Sequence, residues 1–333
     1  MASVRIHRRR FLQAGSAAGL GYLFTGPAAS VARAYGANDR LRVAGIGVGG
    51  KGGSDIDQAG AVMDVVALCD CDETKLAPKA KKWPDAKTFS DFRKLFDDAH
   101  KTFDAAVVST PDHTHAPAAA RAIQLGKHVY VQKPLTHTVF EARTLRELAK
   151  KHNVCTQMGN QGTAENGLRR AVELVQSGLL GQIKEIHVWT NRPIWPQAPG
   201  VTKRPDGKFD VPKTVNWDAF LGPAPDRPYA DGYHPFKWRG WLDFGTGALG
   251  DMACHTANMA FMACKLAYPT SVVSDATDVN AETHPSSAHI TFQFPARGDM
   301  GPVTFHWYEG KRNGEKVAPP ADLLAKVLKK DEK

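Results

Sequence analysis

The sequence predicts an N-terminal α/β domain with a doubly wound parallel sheet, followed by an α+β domain with a mainly antiparallel, open sheet. Three observations support this prediction. Up to about residue 160, short apolar runs alternate with helical stretches, as in βαβ units. A glycine-rich turn follows the first run. Beyond residue 160, runs in which polar and apolar residues alternate replace the βαβ pattern. A chain of 333 residues is longer than one hydrophobic core usually supports. We therefore predict two domains, over residues 40–160 and 161–310.

The first predicted unit reads as strand, turn, helix and strand. Residues 41–46 are apolar except for Arg42, and a glycine-rich segment follows. Residues 62–69 are again largely apolar, and Asp70 ends the unit. Flanking strands and a closing acid make this order typical of a Rossmann dinucleotide-binding motif. The sequence therefore predicts a dinucleotide site at this end of the sheet.

Each glycine of the pattern Gly45-x-Gly47-x-x-Gly50 has a predicted task. Gly45 permits the tight turn, Gly47 lets backbone approach a pyrophosphate, and Gly50 lets the helix pack closely on the strand. Gly49 lies in the same turn and is a further cofactor contact. The pyrophosphate would lie at the helix N-terminus, where free N–H groups and the helix dipole favour anions.

Asp70 follows Gly50 by 20 residues. This is the usual distance for a carboxylate that accepts hydrogen bonds from the adenosine ribose hydroxyls. A 2′-phosphate at that position would meet a like charge, so we expect NAD rather than NADP.

Polar residues follow the other predicted strands of the first domain. The apolar runs at residues 103–108 and 128–131 end in polar turns, and so does the run that begins at Val154. Carboxyl ends of parallel strands face the ligand crevice, so these turns should line the cofactor. The expected contacts are Thr110, Pro111, His115, Gln132, Lys133 and Asn160.

Lys133 is the first residue with expected chemistry. It stands at the mouth of the crevice and is followed by Pro134, which fixes the backbone direction. A lysine here can hydrogen-bond a substrate hydroxyl and help take up its proton as hydride leaves. The alternative is a solvated surface lysine, the usual place for this residue type.

The second domain begins with a strand predicted over residues 183–189, and later strands are predicted over 271–279, 288–294 and 303–308. The segment 190–216 carries five prolines and is predicted to be an irregular, lid-like excursion. Aromatic faces stack on sugar rings and polar tips hold hydroxyls, although core packing explains such aromatics equally well. The candidate substrate contacts are Trp189, Asn191, Arg192, Trp195 and Tyr233.

Asp251 and His255 lie four residues apart on a helix predicted over residues 248–266. This spacing places both side chains on one helix face. An imidazole there can act as a general base near neutral pH, and the carboxylate can orient it or bind a second hydroxyl. The alternative is an ordinary surface pair.

The formal net charge is +9, but five of these charges are arginines before residue 35. The remainder shows no clustered basic face of the kind that nucleic-acid binding needs. Five cysteines form no C-x-x-C pair and no zinc spacing, so we expect no metal site and interpret them as packing residues or loose thiols.

The first 34 residues resemble a twin-arginine signal peptide. Arg8-Arg9-Arg10-Phe11-Leu12 fits the arginine motif, residues 14–23 are apolar, and Ala32-Arg33-Ala34 offers a cleavage site. We therefore expect export to the periplasm. The alternative is an uncleaved amphipathic or anchoring N-terminus. The apolar stretch is too short to span a bilayer comfortably, and no other segment is predicted to cross one.

Taken together, the motifs resemble those of the Gfo/Idh/MocA oxidoreductases, the glucose-fructose oxidoreductase and inositol dehydrogenase superfamily, over about residues 40–310. The glycine turn and Asp70 are similar to the family's cofactor motif. Residues 110–115 are similar to its T-P-x-x-x-H turn, Lys133-Pro134 to its E-K-P motif, and Asp251-x-x-x-His255 to its D-x-x-x-H pair. The resemblance implies that Lys133, Asp251 and His255 form the catalytic set.

The implied function is hydride transfer between NAD and a secondary alcohol of a sugar, polyol or glycoside. The resemblance also implies that an exported member carries NAD tightly bound, as glucose-fructose oxidoreductase does, and that copies associate through the open sheet face. Two alternatives remain. One is a glycosidase that works by transient oxidation with bound NAD, and the other is an inactive sugar-binding remnant.

The sequence departs from the family pattern in three places. Gln132 replaces the glutamate of the E-K-P motif, so any support of Lys133 must come from uncharged hydrogen bonds. Asn258 stands where many relatives carry an acid. Residues 311–333 form a polar tail where the family continues with further strands, which suggests a C-terminal truncation or a missing partner strand that leaves a sheet edge uncovered.

Overall fold

The computed structural model describes residues 40–327 except residues 195, 196, 199 and 201. The predicted signal peptide and the candidate contact Trp195 lie outside the described residues. From Leu41 onward the chain forms one compact unit that contains two sheets.

The first sheet has six strands, all parallel, in the order β3-β2-β1-β4-β5-β6. Its strands are β1 (Arg42–Ile46), β2 (Asp64–Cys69), β3 (Lys87–Phe89), β4 (Ala105–Val108), β5 (His128–Gln132) and β6 (Thr156–Gly159). The connecting helices are α1 (Gly50–Val62), α2 (Glu73–Lys82), α3 (Phe92–Ala99), α4 (Asp112–Gln124) and α5 (Val139–His152). The strand order reverses between β1 and β4, and ligands of such sheets bind in the crevice at that point.

Both faces of this sheet are covered, because alternate residues of each strand point to opposite sides. In β1, Ala44 and Ile46 join a buried cluster that includes Phe96 and Ile123. Val43 points the other way and packs with Val48 and Ile56 of the glycine turn and α1. The predicted doubly wound α/β domain is therefore confirmed.

The second sheet lies in the C-terminal half. Its strands are β7 (Glu185–Trp189), β8 (Ser271–Thr277), β9 (Ser287–Phe294), β10 (Val303–Arg312) and the short β11 (Glu315–Lys316). The accompanying helices are α6 (Asn166–Gln176), α7 (Trp217–Leu221), α8 (Gly247–Thr256), α9 (Asn258–Ala263) and α10 (Ala321–Val327). One sheet face packs against α8 and α9 through a core that contains Phe294, Phe305 and Trp307.

This second sheet is mixed, which refines the predicted mainly antiparallel arrangement. β8, β9 and β10 pair antiparallel, and so does the hairpin of β10 with β11. β7, however, pairs parallel with β10, with Ile186 opposite Phe305. β7 enters from α6 and is separated from β10 by more than one hundred residues, so a chain crossover rather than a hairpin sets its direction.

An aromatic cluster of the second domain packs against the first domain at the start of α4. The segment between β7 and α8 buries Phe220, Tyr233, Trp241 and Phe244 against each other. His113 at the start of α4 reaches into this cluster, with its Nε2 2.8 Å from the carbonyl oxygen of Phe220 and its Nδ1 3.2 Å from that of Phe244. This contact holds the aromatic segment above the strand ends of the parallel sheet.

Among the described helices, none is both long enough and apolar enough to cross a membrane.

Candidate active site

A cavity of about 500 Å³ lies at the switch point of the parallel sheet. Its floor is the glycine turn and the carboxyl ends of β1, β2, β4 and β5, and its roof is the aromatic segment of the second domain. From the first domain, Gly47, Gly49, Gly50, Asp70, Thr110, Pro111, Gln132 and Lys133 line it as the sequence predicted.

The glycine roles differ from the predicted ones by two positions. Gly45 lies inside β1, and it is not among the residues that line the cavity. The turn is made by Gly47, whose φ is +75° and whose N–H donates to the Cys69 carbonyl oxygen at 2.8 Å. Close packing belongs to Gly52, because a Cβ there would meet the Gly47 carbonyl oxygen at 1.9 Å, whereas a Cβ on Gly50 would meet nothing within 4 Å.

The motif is therefore Gly47-x-Gly49-x-x-Gly52, a second reading of the same run that the sequence also permits. In this register Gly49 is the N-cap of α1 and has no side chain with which to cap it. The N–H groups of the first turn of α1 are then directed at the cavity, where they can receive a pyrophosphate.

Asp70 lies at the end of β2 and holds the glycine turn in place. One carboxylate oxygen accepts from the backbone N–H of Val48 at 2.9 Å and of Gly49 at 3.1 Å, and the other accepts from Asp72 at 3.0 Å. Burial raises the pKa of Asp70, and these three backbone hydrogen bonds oppose that rise. A carboxylate has about four acceptor positions, so it can still receive a ribose hydroxyl.

Beneath the turn lies a polar network that the sequence did not single out. The buried carboxylate of Asp55 pairs with Lys51, accepts from Ser109 Oγ at 2.9 Å and accepts from Gln132 Nε2 at 2.9 Å. Gln132 thus supports Asp55 rather than Lys133. Asp55 sits where a helix facing a sheet normally carries an apolar residue, so only its position, eight residues after Gly47, marks it in the sequence.

His115 does not line the cavity and is 1% exposed. Its Nδ1 lies 2.7 Å from the Pro134 carbonyl oxygen, and its Nε2 lies 2.8 Å from that of Thr110. The predicted cofactor contact is therefore wrong at this position. Instead, His115 ties the turn after β4 to the turn after β5 and so positions Thr110 and Lys133.

Lys133 and Asp251 meet across the two domains. The Lys133 ammonium donates to a carboxylate oxygen of Asp251, and also to its backbone carbonyl oxygen at 3.1 Å. The other carboxylate oxygen of Asp251 accepts from Gln197 Nε2. Burial raises the pKa of Asp251, but the hydrogen bond and charge of Lys133 outweigh this effect, so the pKa lies below its ordinary value.

His255 lies one helical turn beyond Asp251 on α8, within the electrostatic reach of Lys133. Burial lowers the pKa of His255, and the positive charge of Lys133 lowers it further. A hydrogen bond with the backbone of Gln161 and the charge of Asp251 oppose this shift. The imidazole is therefore neutral and able to accept a proton near neutral pH.

Asn160 connects the two domains rather than lining the cavity. Its Nδ2 donates to Thr163 Oγ1 at 3.0 Å and to the carbonyl oxygen of Cys254, next to His255. Its Oδ1 is buried and has no hydrogen-bond partner among the described residues. The predicted cofactor contact of Asn160 is therefore not supported by this geometry.

The candidate substrate contacts are divided by the structure. Tyr233 is fully buried in the aromatic cluster, so its predicted role as a sugar contact is wrong and the packing alternative holds. Trp189, 42% exposed, ends β7, and Asn191 with Arg192 follows it. None of these three lines the cavity among the described residues.

The roof adds residues that the sequence did not assign. His234, Phe236, Trp238 and Arg239 all line the cavity. The run Trp238-Arg239-Gly240-Trp241 precedes the Asp251 helix in the sequence, but its spacing alone assigns no role to Arg239.

The cavity fits a dinucleotide, because the glycine turn, the N-terminus of α1 and the Asp70 carboxylate lie together there. The glycines have no side chain that would keep a pyrophosphate from the backbone. Gly47 and Gly49 would form the cradle. Lys133 would lie at the nicotinamide end, beside Asp251.

Comparison with known proteins gives two family matches. A model described as "Oxidoreductase family, NAD-binding Rossmann fold" matches residues 41–160, and one described as "Oxidoreductase family, C-terminal alpha/beta domain" matches residues 165–299.

Among curated relatives, the chain is 31% identical over 202 residues to a glycosyl hydrolase family 109 protein of Solibacter usitatus, covering 53% of this chain and 44% of the relative. It is 24% identical over 185 residues to levoglucosan dehydrogenase of Pseudarthrobacter phenanthrenivorans, covering 55% and 38%. The chain thus spans less than half the length of these relatives.

Among solved structures, the fold is similar to an inositol dehydrogenase homolog of Azotobacter vinelandii complexed with NADH and myo-inositol. The TM-score is 0.58 at 18% identity, over 84% of this chain and 66% of that one.

Proposed function

The chain belongs to the Gfo/Idh/MocA oxidoreductase family, and on that premise we propose that it transfers hydride between NAD and a secondary alcohol of a sugar, polyol or glycoside. The observation that carries this proposal is the ion pair of Asp251 with Lys133, which lines the cavity, together with the position of His255 one helical turn beyond Asp251 on α8. We place the substrate hydroxyl beside this ion pair, where the imidazole of His255 would accept its proton and the Lys133 ammonium would hydrogen-bond its oxygen.

In this mechanism His255 removes the hydroxyl proton, because its neutral imidazole is a competent base near neutral pH. The Lys133 ammonium stabilises the negative charge that develops on the carbonyl oxygen. Asp251 orients the ammonium through their ion pair. When bound, NAD supplies the hydride acceptor. The carbon loses hydride and the oxygen loses a proton, so the products are a ketone, NADH and a protonated histidine.

We assign NAD rather than NADP to the site. The Asp70 carboxylate is held by the glycine turn at the end of β2, where it would repel a 2′-phosphate. We also propose that NAD is held tightly enough to survive purification. Nicotinamide absorbance and mass spectrometry after exhaustive dialysis test this, and a preparation that folds without cofactor contradicts tight binding.

The substrate contacts proposed at the outer part of the site are Trp189, Asn191 and Arg192. They follow β7 and lie close in sequence to Gln197, which contacts Asp251. This arrangement supports a substrate that reaches from the cavity to the end of the second sheet.

The decisive experiment is a screen of sugars, polyols and glycosides with added NAD. We expect NADH to appear with a subset of them, and Lys133→Met to lose activity by about 10²- to 10⁴-fold while keeping NADH binding. No NADH with any alcohol, in a preparation that binds NADH, contradicts the proposal.

A second candidate function is glycoside hydrolysis through transient oxidation. The similarity to a glycosyl hydrolase family 109 protein favours it. Product chromatography separates the two candidates, since the hydrolase releases a free sugar with no net NADH, and the dehydrogenase accumulates NADH and a ketone.

We further propose export to the periplasm by the twin-arginine route, on the basis of residues 8–12. Fractionation of cells that express the full chain tests it. Replacement of Arg8, Arg9 and Arg10 by lysine should retain the protein in the cytoplasm, and unchanged periplasmic protein contradicts this route.

A further inference from the structure

Arg239 is a cation in the roof of the cavity that the proposed mechanism leaves unused. Its guanidinium carbon lies 4.2 Å from the ring centroid of Trp238 and 5.2 Å from that of Phe236. Stacking on both rings fixes the plane of the guanidinium. Within the described part of the chain, Arg239 makes no hydrogen bond or ion pair, so its donors remain available in the cavity.

The position of Arg239 is at the reacting end of the cavity. Its charge helps to lower the pKa of Asp251, and it opposes the rise that burial causes in the pKa of Asp112. The main influences on Asp70, at the ribose end, are burial, its backbone hydrogen bonds and Asp72. Arg239 thus lines the same cavity as Lys133, and its charge acts on Asp251, the ion-pair partner of Lys133.

The carboxylates near Arg239 already have other partners. One oxygen of Asp112 accepts from the N–H of Thr246 at 3.1 Å and from its Oγ1 at 2.7 Å. Both oxygens of Asp251 are held by Lys133 and Gln197. The guanidinium is thus oriented by aromatic rings and is not neutralised by a direct ion pair, as expected for a residue that binds an anion from outside.

We propose that Arg239 binds a carboxylate of the substrate, which makes sugar acids the substrate class of this enzyme. This inference rests on the proposed hydride transfer. The planar fork of arginine matches a carboxylate with two parallel hydrogen bonds. A phosphate is less suitable, because its second negative charge would lie close to Asp112 and Asp251.

The test compares acids with their neutral counterparts: D-glucuronate with D-glucose, D-galacturonate with D-galactose, and D-gluconate with D-glucitol. NADH formation is followed for the wild type and for Arg239→Gln and Arg239→Lys. Arg121→Gln is the matched control, because Arg121 is an exposed arginine of α4 that pairs with Asp97 outside the cavity. Melting temperature and the dissociation constant of NADH are measured for every variant.

We expect the wild type to use at least one acid with a kcat/KM about 100-fold above that of its neutral counterpart, as a bidentate charged pair allows. Arg239→Gln should remove this preference mainly through KM, with the NADH dissociation constant unchanged. Arg239→Lys should keep part of it, since it keeps the charge but not the fork. Arg121→Gln should behave as the wild type.

Equal use of acids and neutral sugars by the wild type overturns the inference. A weakened NADH affinity in Arg239→Gln also overturns it, because it assigns Arg239 to the cofactor. If Arg239→Gln does not fold, Arg239→Lys decides, and an unchanged acid preference there counts against a bidentate contact. NADH formed from neutral sugars alone leaves the proposed function intact. Calorimetric binding of glucuronate that depends on Arg239, without any NADH formation, removes the proposed function and with it the substrate class, and keeps only the contact of Arg239 with a carboxylate.

Discussion

At the scale of single residues, the candidate site works through coupled charges. Lys133 lowers the pKa of His255, and Asp251 opposes that effect while pairing with Lys133. In the proposed mechanism the same lysine keeps the base neutral and stabilises the developing oxyanion. Lys133, Asp251 and His255 would then depend on one another.

This coupling predicts opposite shifts in two variants. Lys133→Gln removes a positive charge and should raise the pKa of His255, whereas Asp251→Asn removes a negative charge and should lower it. Histidine NMR titration measures both, with His255→Asn to assign the resonance and Lys150→Gln as the exposed-lysine control. Shifts of the same sign in the two variants would show that His255 does not sense this pair.

Gln132 and Asp55 are a second pair of residues whose interaction can be tested. Gln132 donates to Asp55 at 2.9 Å, so a glutamate at position 132, as in the family pattern, would place two carboxylates in contact. We expect Gln132→Glu to destabilise the fold and weaken NADH binding, and Asp55→Asn in the same chain to restore both. Urea unfolding of the double-mutant cycle should give a coupling free energy of about 1–3 kcal/mol. Additive effects would rule out this pairing.

These residues show where sequence reasoning succeeds and where it stops. The contact of Lys133 with Asp251 agrees with the set that the family resemblance implied, while the catalytic roles of Lys133, Asp251 and His255 stay a prediction. Asp55 and Arg239 could not be predicted, because their roles depend on which side chains a neighbouring element presents. His115 was assigned to the correct turn, but its direction into the protein depends on the carbonyl groups of two separate turns.

At the scale of elements, the turn between β1 and α1 depends on Gly52, the glycine of α1 that packs against the backbone of Gly47. A methyl group on Gly52 would lie 1.9 Å from the Gly47 carbonyl oxygen, whereas Gly50 has open space and a φ of +49°. The sequence shows the run of glycines. It does not distinguish the motif that begins at Gly45 from the motif that begins at Gly47, because only the backbone geometry shows which glycine makes the turn.

Alanine variants distinguish the two registers. Gly50→Ala should cost about 1–2 kcal/mol of unfolding free energy, the usual penalty of a left-handed residue. Gly52→Ala should cost about 3 kcal/mol or more, because backbone must move to admit the methyl group. Denaturant unfolding compares them, with Gly126→Ala as a second positive-φ, open control. A larger loss at Gly50 would favour the register predicted from sequence.

The start of α4 is the second informative element, because it anchors the aromatic segment through His113. Burial lowers the pKa of this imidazole to about 4. The unfolded chain takes up a proton near the ordinary value of 6.5 and the folded chain does not, so stability is lost as the pH falls from 6.5 towards 4 and changes no further below that.

His113→Gln should reduce this pH dependence. Between pH 7 and pH 4 the variant should lose about 3 kcal/mol less unfolding free energy than the wild type, although it starts from a lower value at pH 7. Urea unfolding at several pH values measures the difference. His152→Gln, at the end of an exposed helix, is the control. Parallel pH profiles for His113→Gln and the wild type would contradict a buried neutral imidazole.

At the scale of the whole molecule, the parallel sheet was predictable and the second sheet only in part. The strands of the first sheet follow one another through helices, so local patterns nearly dictate their order. β7 joins β10 across a long stretch of chain, and no local pattern records that it runs parallel. The roof of the cavity depends on the same long-range packing, which explains why its residues were missed.

The face of the second sheet opposite its helices leads to the last prediction, self-association. There β7, β9 and β10 carry a stacked cluster of three partly buried imidazoles and one buried tyrosine ring, His187, His289, His306 and Tyr308, with ring centroids 4.4–6.0 Å apart. β8 at its edge exposes Val273. Aromatic rings and an apolar edge are typical of interfaces, and we propose that two copies associate through this face.

Analytical ultracentrifugation should then give a molecular mass above that of one chain. Thr291→Arg, which places a long cation among the rings, should lower it to the monomer. Ser177→Arg, exposed beyond α6 on the side of the helices, should leave it unchanged. A wild-type monomer at high protein concentration, or a Thr291→Arg variant that associates as before, would exclude this face as the interface.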